Sequence, residues 1–167
     1  MKIKKHILSY FLSISIAFTA FSPANAQTLY GIIYSGSNAG FLIKIDTWTG
    51  DATIIGNTGL HWPCVLEYNS TLDTLLTSNS NEYPVHGYFL NRRTGTATLA
   101  WNSFIETELA YESTENVFYG VGPGYTVDKL NPETGEFICD IGLINKKPIG
   151  GLDFDPTTQP HVLYGAG

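Results

Sequence analysis

A repeat of 43 residues constrains the fold of this chain more than any other feature of its sequence. Three segments, LEYNST, LAYEST and LDFDPT, align without gaps and begin at Leu66, Leu109 and Leu152, 43 residues apart each time. In each segment, apolar or aromatic residues alternate with other residues before a polar turn, and a second short apolar run follows. This pattern predicts a strand, a turn and a second strand in every repeat.

A second motif, [DN]-x-x-T-G, recurs between these segments. It begins at Asp46, Asn91 and Asn131, and an alternating run stands on each side of it. A short Asn or Asp side chain accepts hydrogen bonds from amides two residues further on, and Gly adopts the left-handed conformation that many hairpin loops need. The motif therefore predicts a β-hairpin, and the two motifs together predict four strands per repeat.

Four strands in about 40–45 residues is the size of one blade of a β-propeller. No sustained 3.6-residue apolar period follows the first 26 residues, so long helices are not expected. We therefore expect an all-β chain, a β-propeller-like array of four-stranded antiparallel blades. About three and a half blades are predicted: three strands in residues 29–56, four in 64–101, four in 107–141 and two in 149–166.

The sequence pattern of the repeat resembles that of secreted bacterial β-propeller repeat proteins, which are similar to the YVTN and quinoprotein-type propellers. The resemblance rests on runs such as LIKIDTWTGDATIIGNTG and GLDFDPTTQPHVLYG and extends over nearly all of residues 29–167. It implies a propeller fold. It implies no particular activity, because propellers serve as binding proteins, scaffolds, hydrolases and oxidoreductases alike.

The array is expected to be incomplete. Most closed rings need about four to eight blades, more than these strands supply. The last run, HVLYGAG, stops in mid-pattern where the equivalent VFYGVGPGY continues into a further strand. A truncated reading frame is the simplest interpretation, and the alternative is an open array that associates with another copy through its free blade edges.

The first 26 residues have the three parts of a secretory signal peptide. Lysines give a positive start, an apolar stretch of 15 residues follows from Ile7 to Phe21, and Ala24-Asn25-Ala26 has the small-x-small pattern of a cleavage site. We expect cleavage after Ala26, with residues 27–167 exported to the periplasm, the cell surface or the medium. A membrane anchor is the alternative, but the stretch is shorter than the ~20 residues of a spanning helix.

Cleavage would leave 6 Lys and Arg against 15 Asp and Glu, a formal charge of −9. Such a chain is a poor partner for nucleic acid or for an anionic membrane surface. The two cysteines, Cys64 and Cys139, could form a disulfide after export. They occupy different positions of the repeat, however, and we expect them to lie too far apart to bond.

No catalytic or metal-binding constellation is predicted, and we expect no cofactor. The histidines have none of the close spacings that metal sites use, and Asp153 with Asp155 is interpreted as capping the turn that follows. A quinone-binding propeller would carry a Trp shortly after each Thr-Gly. Here Trp101 lies six residues after Gly95, and the Trp does not recur at the equivalent positions.

The loops therefore remain as the candidate functional surface. If the blades have the usual strand order, the loops within and between blades bring together five aromatic or imidazole side chains: His61, Trp62, Tyr83, His86 and Tyr125. Loops on a rigid scaffold commonly carry binding sites. We expect a binding or scaffolding module for a glycan, a peptide or a protein. Two alternatives stay open: that the aromatic residues only pack the loop bases, and that the chain is part of a propeller hydrolase or oxidoreductase whose catalytic residues lie in missing blades.

Overall fold

A computed structural model gives the fold, and seven stretches of the chain are described. These are residues 28–79, 84–102, 108–122, 124–144, 149–155, 157–158 and 160–166. The expected signal peptide, residues 1–26, lies outside them. Within these stretches no helix is long and apolar enough to span a membrane.

All regular structure in the described stretches is β-strand. The thirteen strands are β1 Leu29–Ile32, β2 Phe41–Ile45, β3 Ala52–Asn57, β4 Pro63–Asn69, β5 Thr74–Asn79, β6 His86–Leu90, β7 Ala97–Trp101, β8 Leu109–Glu112, β9 Val117–Val121, β10 Thr126–Leu130, β11 Phe137–Leu143, β12 Gly151–Asp155 and β13 Val162–Ala166. The expected all-β class is thereby confirmed.

The strands form four separate antiparallel sheets in which each strand pairs with its neighbour in the sequence. The first sheet is β1-β2-β3, the second β4-β5-β6-β7, the third β8-β9-β10-β11 and the fourth β12-β13. This grouping agrees with the three, four, four and two strands expected from the repeat. The two-residue alternation of each run sets the strands, and the recurring turns set their antiparallel order.

The [DN]-x-x-T-G motif forms a hairpin in each place where it occurs. The side-chain Oδ1 atoms of Asp46, Asn91 and Asn131 each accept hydrogen bonds from the amides two and three residues further on, at 2.8–3.1 Å. The Gly amide at the end of each motif donates to the carbonyl of the first residue at 2.8 Å. Because every interaction in this turn is local, the sequence pattern is sufficient to specify it.

The same hairpins also connect one sheet to the preceding sheet. Added to Gly135, a Cβ atom would lie 2.4 Å from the Trp101 ring, and at Gly95 it would lie 2.7 Å from the carbonyl oxygen of Gly56. Gly56 and Trp101 occupy equivalent positions, six residues after the Gly of their own hairpin. Each of these two hairpins therefore packs directly on the same position of the sheet before it.

Two apolar clusters fill the spaces between successive sheets. Between the first and second sheets the buried members are Leu42, Leu60, Leu75 and Leu90. Between the second and third sheets they are Val65, Leu76, Trp101, Leu109, Tyr111, Phe118 and Leu130. In the second cluster the rings of Trp101 and Phe118 meet edge to face, with centroids 5.6 Å apart.

The first strands of the four sheets lie in a row. Strand β1 contacts β4, β4 contacts β8, and β8 contacts β12. Antiparallel order then places the β3–β4 connection at the same end of the first sheet as the β1–β2 loop, and the later connections at the same end as the β5–β6 and β9–β10 loops. Together these connections and loops carry the four candidate binding residues that fall within the described stretches.

Candidate functional site at the loop end

Four of the five candidate binding residues fall within the described stretches, and Tyr83 lies outside them. His61 and Trp62 belong to the connection between β3 and β4, His86 is the first residue of β6, and Tyr125 precedes β10. All four therefore stand at strand ends or in connections, as expected from the repeat.

Trp62 forms an exposed aromatic pair with Tyr34, which lies in the loop between β1 and β2. Their ring centroids are 6.2 Å apart and the ring planes meet at 49°. Trp62 is 55% exposed and Tyr34 is 52% exposed, although each ring contacts the other. Sequence reasoning missed Tyr34. Its position in the Gly- and Ser-rich run YSGSNAG was the available signal, because an aromatic residue in such a loop has little core to enter.

The backbone at two of the candidate residues is held in the left-handed region. Trp62 has φ 59° and Tyr125 has φ 65°. Bulky side chains rarely adopt this conformation, which costs about 1–3 kcal/mol. The other non-glycine residues with positive φ in the described stretches are Asp73 and Asn116, whose short polar side chains tolerate it in tight turns. Strain retained at exposed aromatic residues is a mark of functional sites.

The two candidate histidines have different surroundings. His61 is exposed, whereas His86 is partly buried and its ring meets Tyr88 edge to face at 6.4 Å. The buried Nδ1 atom of His86 has no hydrogen-bond partner among the described residues. The structure thus places His86 against its own sheet, while the exposed aromatic pair consists of Trp62 and Tyr34.

A partly buried carboxyl group, also missed by sequence reasoning, lies between the first strands. Glu67 on β4 accepts a hydrogen bond of 3.2 Å from the amide of Tyr111 on β8. Burial raises the pKa of Glu67 to about 7, and the negative charge of Asp153 on β12 adds to the rise, while the Tyr111 amide opposes it. Strands β4, β8 and β12, each the first strand of its sheet, therefore all influence the ionisation of Glu67.

The carboxylates that end the first strands stabilise the turns after them. Asp155 Oδ1 accepts the amide of Thr157 at 2.8 Å, so its expected role as a turn cap is confirmed. Its equivalent Asn69 accepts two amides of its own turn, at 2.9 and 3.0 Å. Asp153 instead accepts the amide of the next residue, Phe154, at 2.8 Å.

At the same position of the third sheet, Glu112 pairs with His161 across the space to the fourth sheet. Burial disfavours ionisation of Glu112, but hydrogen bonds from the amides of Glu115 and Thr114 and from His161 lower its pKa overall. Glu112 therefore holds the turn through these amide hydrogen bonds and joins the third and fourth sheets through its contact with His161.

The two cysteines, Cys64 on β4 and Cys139 on β11, are free and exposed. Within the described stretches, no three His, Cys, Asp or Glu residues are grouped as a metal ion would require.

Comparison with protein-family models returned no match, and comparison with curated proteins returned none either. The function must therefore be inferred from the site itself.

Proposed function

We propose that this protein is an exported saccharide-binding module, built as a propeller-like array of blades and binding through the exposed pair Trp62 and Tyr34. Export is supported by residues 1–26, which have the positive start, the apolar stretch and the cleavage pattern of a signal peptide. Binding rather than catalysis is favoured because the loop end offers aromatic surface and no paired catalytic groups among the described residues.

Two observations support the propeller-like arrangement. The strands β4, β8 and β12, which carry the recurring segments that begin at Leu66, Leu109 and Leu152, contact one another in sequence order, as the innermost strands of adjacent blades do around an axis. In addition, two successive hairpins pack on the same position of the sheet before them. An experimental structure in which the first strands diverge would contradict this part of the proposal.

The aromatic pair is the single observation that carries the proposed function. The apolar C–H face of a sugar ring packs on an exposed aromatic ring, and two inclined rings can contact consecutive sugar units. An indole that is more than half exposed gains apolar burial when a ligand covers it. The left-handed backbone at Trp62 holds this indole outward at a cost in stability.

The test is binding of neutral polysaccharides, such as xylan, mannan, β-glucan and chitin oligosaccharides, to the mature protein by calorimetry. We expect Trp62→Ala and Tyr34→Ala each to weaken binding at least about tenfold, the usual effect of losing an aromatic anchor. Trp48→Ala is the matched control, because Trp48 is 95% exposed but lies at the opposite end of β3.

Two outcomes would contradict the proposal. One is that no polysaccharide of this series binds to the unmodified protein. The other is that binding occurs but Trp48→Ala weakens it as much as Trp62→Ala does.

A further inference from the structure

A cleft between the first and second sheets has a chemistry different from that of the loop end. Two cavities adjoin here, one of about 550 Å³ and a more open one of about 1110 Å³, and both are lined by Tyr30 and Arg92. The first cavity has the volume of a small-ligand site. We call this place the basic cleft, after the three cations in its walls: Lys44, Arg92 and Arg93.

Positive charge is concentrated in this cleft. The described stretches contain four Lys and Arg residues, and all except Lys129 line the basic cleft. The whole chain nevertheless has a formal charge of −6. Two carboxyl groups, Asp73 and Glu67, also line the cavities, so the cations exceed the anions by at least one, and such a local excess on an acidic protein attracts anions to that place.

Arg92 is held in a fixed orientation at the junction of the two cavities. Its guanidinium carbon lies 5.2 Å from the ring centre of Tyr68 and 6.0 Å from that of Tyr30. Its Nη2 atom pairs with Asp73, which also accepts a hydrogen bond of 2.6 Å from the Tyr68 hydroxyl. Among the described residues this hydrogen bond to Asp73 uses one of the five N–H donors of the guanidinium.

The other groups in the wall are suited to a hydroxylated ligand. Two aromatic residues, Tyr30 and Tyr68, and two hydroxyl residues, Thr28 and Thr47, line the first cavity. Glu67 also lines the first cavity. Because burial raises its pKa to about 7, it carries a full negative charge in only part of the molecules near neutral pH.

We propose that the basic cleft is a second binding site, specific for sugars that bear a carboxylate, namely hexuronic acids. A carboxylate matches the planar donor fork of a guanidinium, and Lys44 and Arg93 add charge along the more open cavity. The sugar ring packs against the tyrosines. This site is independent of the proposed function of Trp62 and Tyr34, which belong to neither cavity wall.

The test is calorimetry or NMR titration of the mature protein with trigalacturonate at low ionic strength. We expect Lys44→Gln and Arg93→Gln, both at exposed positions, each to weaken binding about threefold to tenfold, and Arg92→Gln to weaken it more. Lys129→Gln is the matched control. Lys129 also has a carboxylate partner, Glu115, and a tyrosine ring, Tyr119, but stands on the third sheet.

Further titrations separate this site from a general attraction for anions. The methyl ester of trigalacturonate and inorganic sulfate are both expected to bind at least about tenfold more weakly, and Trp62→Ala is expected to leave trigalacturonate binding unchanged. Absence of trigalacturonate binding, equal binding of sulfate, or an equal loss in Lys129→Gln would overturn the proposal. If Trp62→Ala loses binding of neutral polysaccharides but keeps binding of trigalacturonate, the result supports two independent sites.

Discussion

At the scale of single residues, burial determines the pKa of Glu67, and backbone conformation determines the strain at Trp62. Glu67 and its equivalents Ala110 and Asp153 differ in chemistry although they share one position of the repeat. The sequence predicted that Glu67 lies in a strand. It did not predict the raised pKa, because that depends on burial against β8 and on a charge 86 residues away in the sequence.

The raised pKa of Glu67 makes a testable contribution to stability. The folded state binds the proton more tightly than the unfolded state, whose pKa is near 4.5. The contribution of Glu67 is therefore fully present below pH 4.5 and is lost as the pH rises through about 7. Glu67→Gln, which keeps a carbonyl acceptor for the Tyr111 amide, should equal the unmodified protein in stability at pH 4.5 and exceed it by about 3 kcal/mol at pH 8. Urea unfolding of both proteins across this range measures the difference, and parallel curves would contradict the assignment.

A second prediction at this scale concerns the backbone strain at Trp62. Since glycine adopts a positive φ without strain, Trp62→Gly should be about 1 kcal/mol more stable than Trp62→Ala, although both lack the indole. Thermal or urea unfolding gives the comparison. Equal stability, or a less stable glycine variant, would show that the residue is not held in the left-handed region.

At the scale of elements, the hairpins show what a sequence pattern can and cannot predict. The turn itself was predictable because Asn131 and Gly135 interact within five residues of each other. The packing of Gly135 on Trp101 was not, although the sequence already placed Trp101 at the same repeat position as Gly56 and Ile141. From the sequence this position bears only on a quinone site, which would need a recurring Trp, whereas in the structure it carries a contact between sheets.

Two glycines at the same motif position allow a controlled test of this packing. Gly50 and Gly135 have φ 79° and 70°, but a Cβ at Gly50 would meet nothing within 4 Å, whereas one at Gly135 would overlap the Trp101 ring. Gly50→Ala should cost about 1 kcal/mol from backbone strain alone. Gly135→Ala should cost about 1–3 kcal/mol more, because the Trp101 ring must move. Urea unfolding measures both, and equal losses would mean that the two sheets do not rely on this contact.

At the scale of the whole molecule, the number of strands in each sheet was predictable from the repeat, and the distribution of exposed surface was not. Tyr34 and the basic cleft both depend on segments distant in sequence coming together, which a 43-residue pattern does not reveal. The outermost strand of the third sheet, β11, is exposed along its entire length. It presents four large apolar side chains: Phe137, Ile138, Ile141 and Leu143.

An exposed apolar edge strand favours association between copies of the chain. We expect concentration-dependent self-association of the unmodified protein in analytical ultracentrifugation, and we expect Leu143→Lys to reduce it. Leu99→Lys serves as control, since Leu99 is also half exposed but lies on β7. Two results would contradict this expectation: the unmodified protein stays monomeric up to millimolar concentration, or Leu143→Lys and Leu99→Lys change its association equally.

The contact between each hairpin glycine and the sheet before it has a consequence for how such arrays change in evolution. Because both halves of the contact recur with the repeat, duplication or loss of one whole 43-residue unit leaves every remaining junction with a matching partner. A deletion that removed a hairpin but kept the sheet before it would leave the position six residues after the preceding hairpin's glycine without the glycine that packs on it. We therefore expect the number of sheets to vary more freely among related chains than the hairpin glycine does.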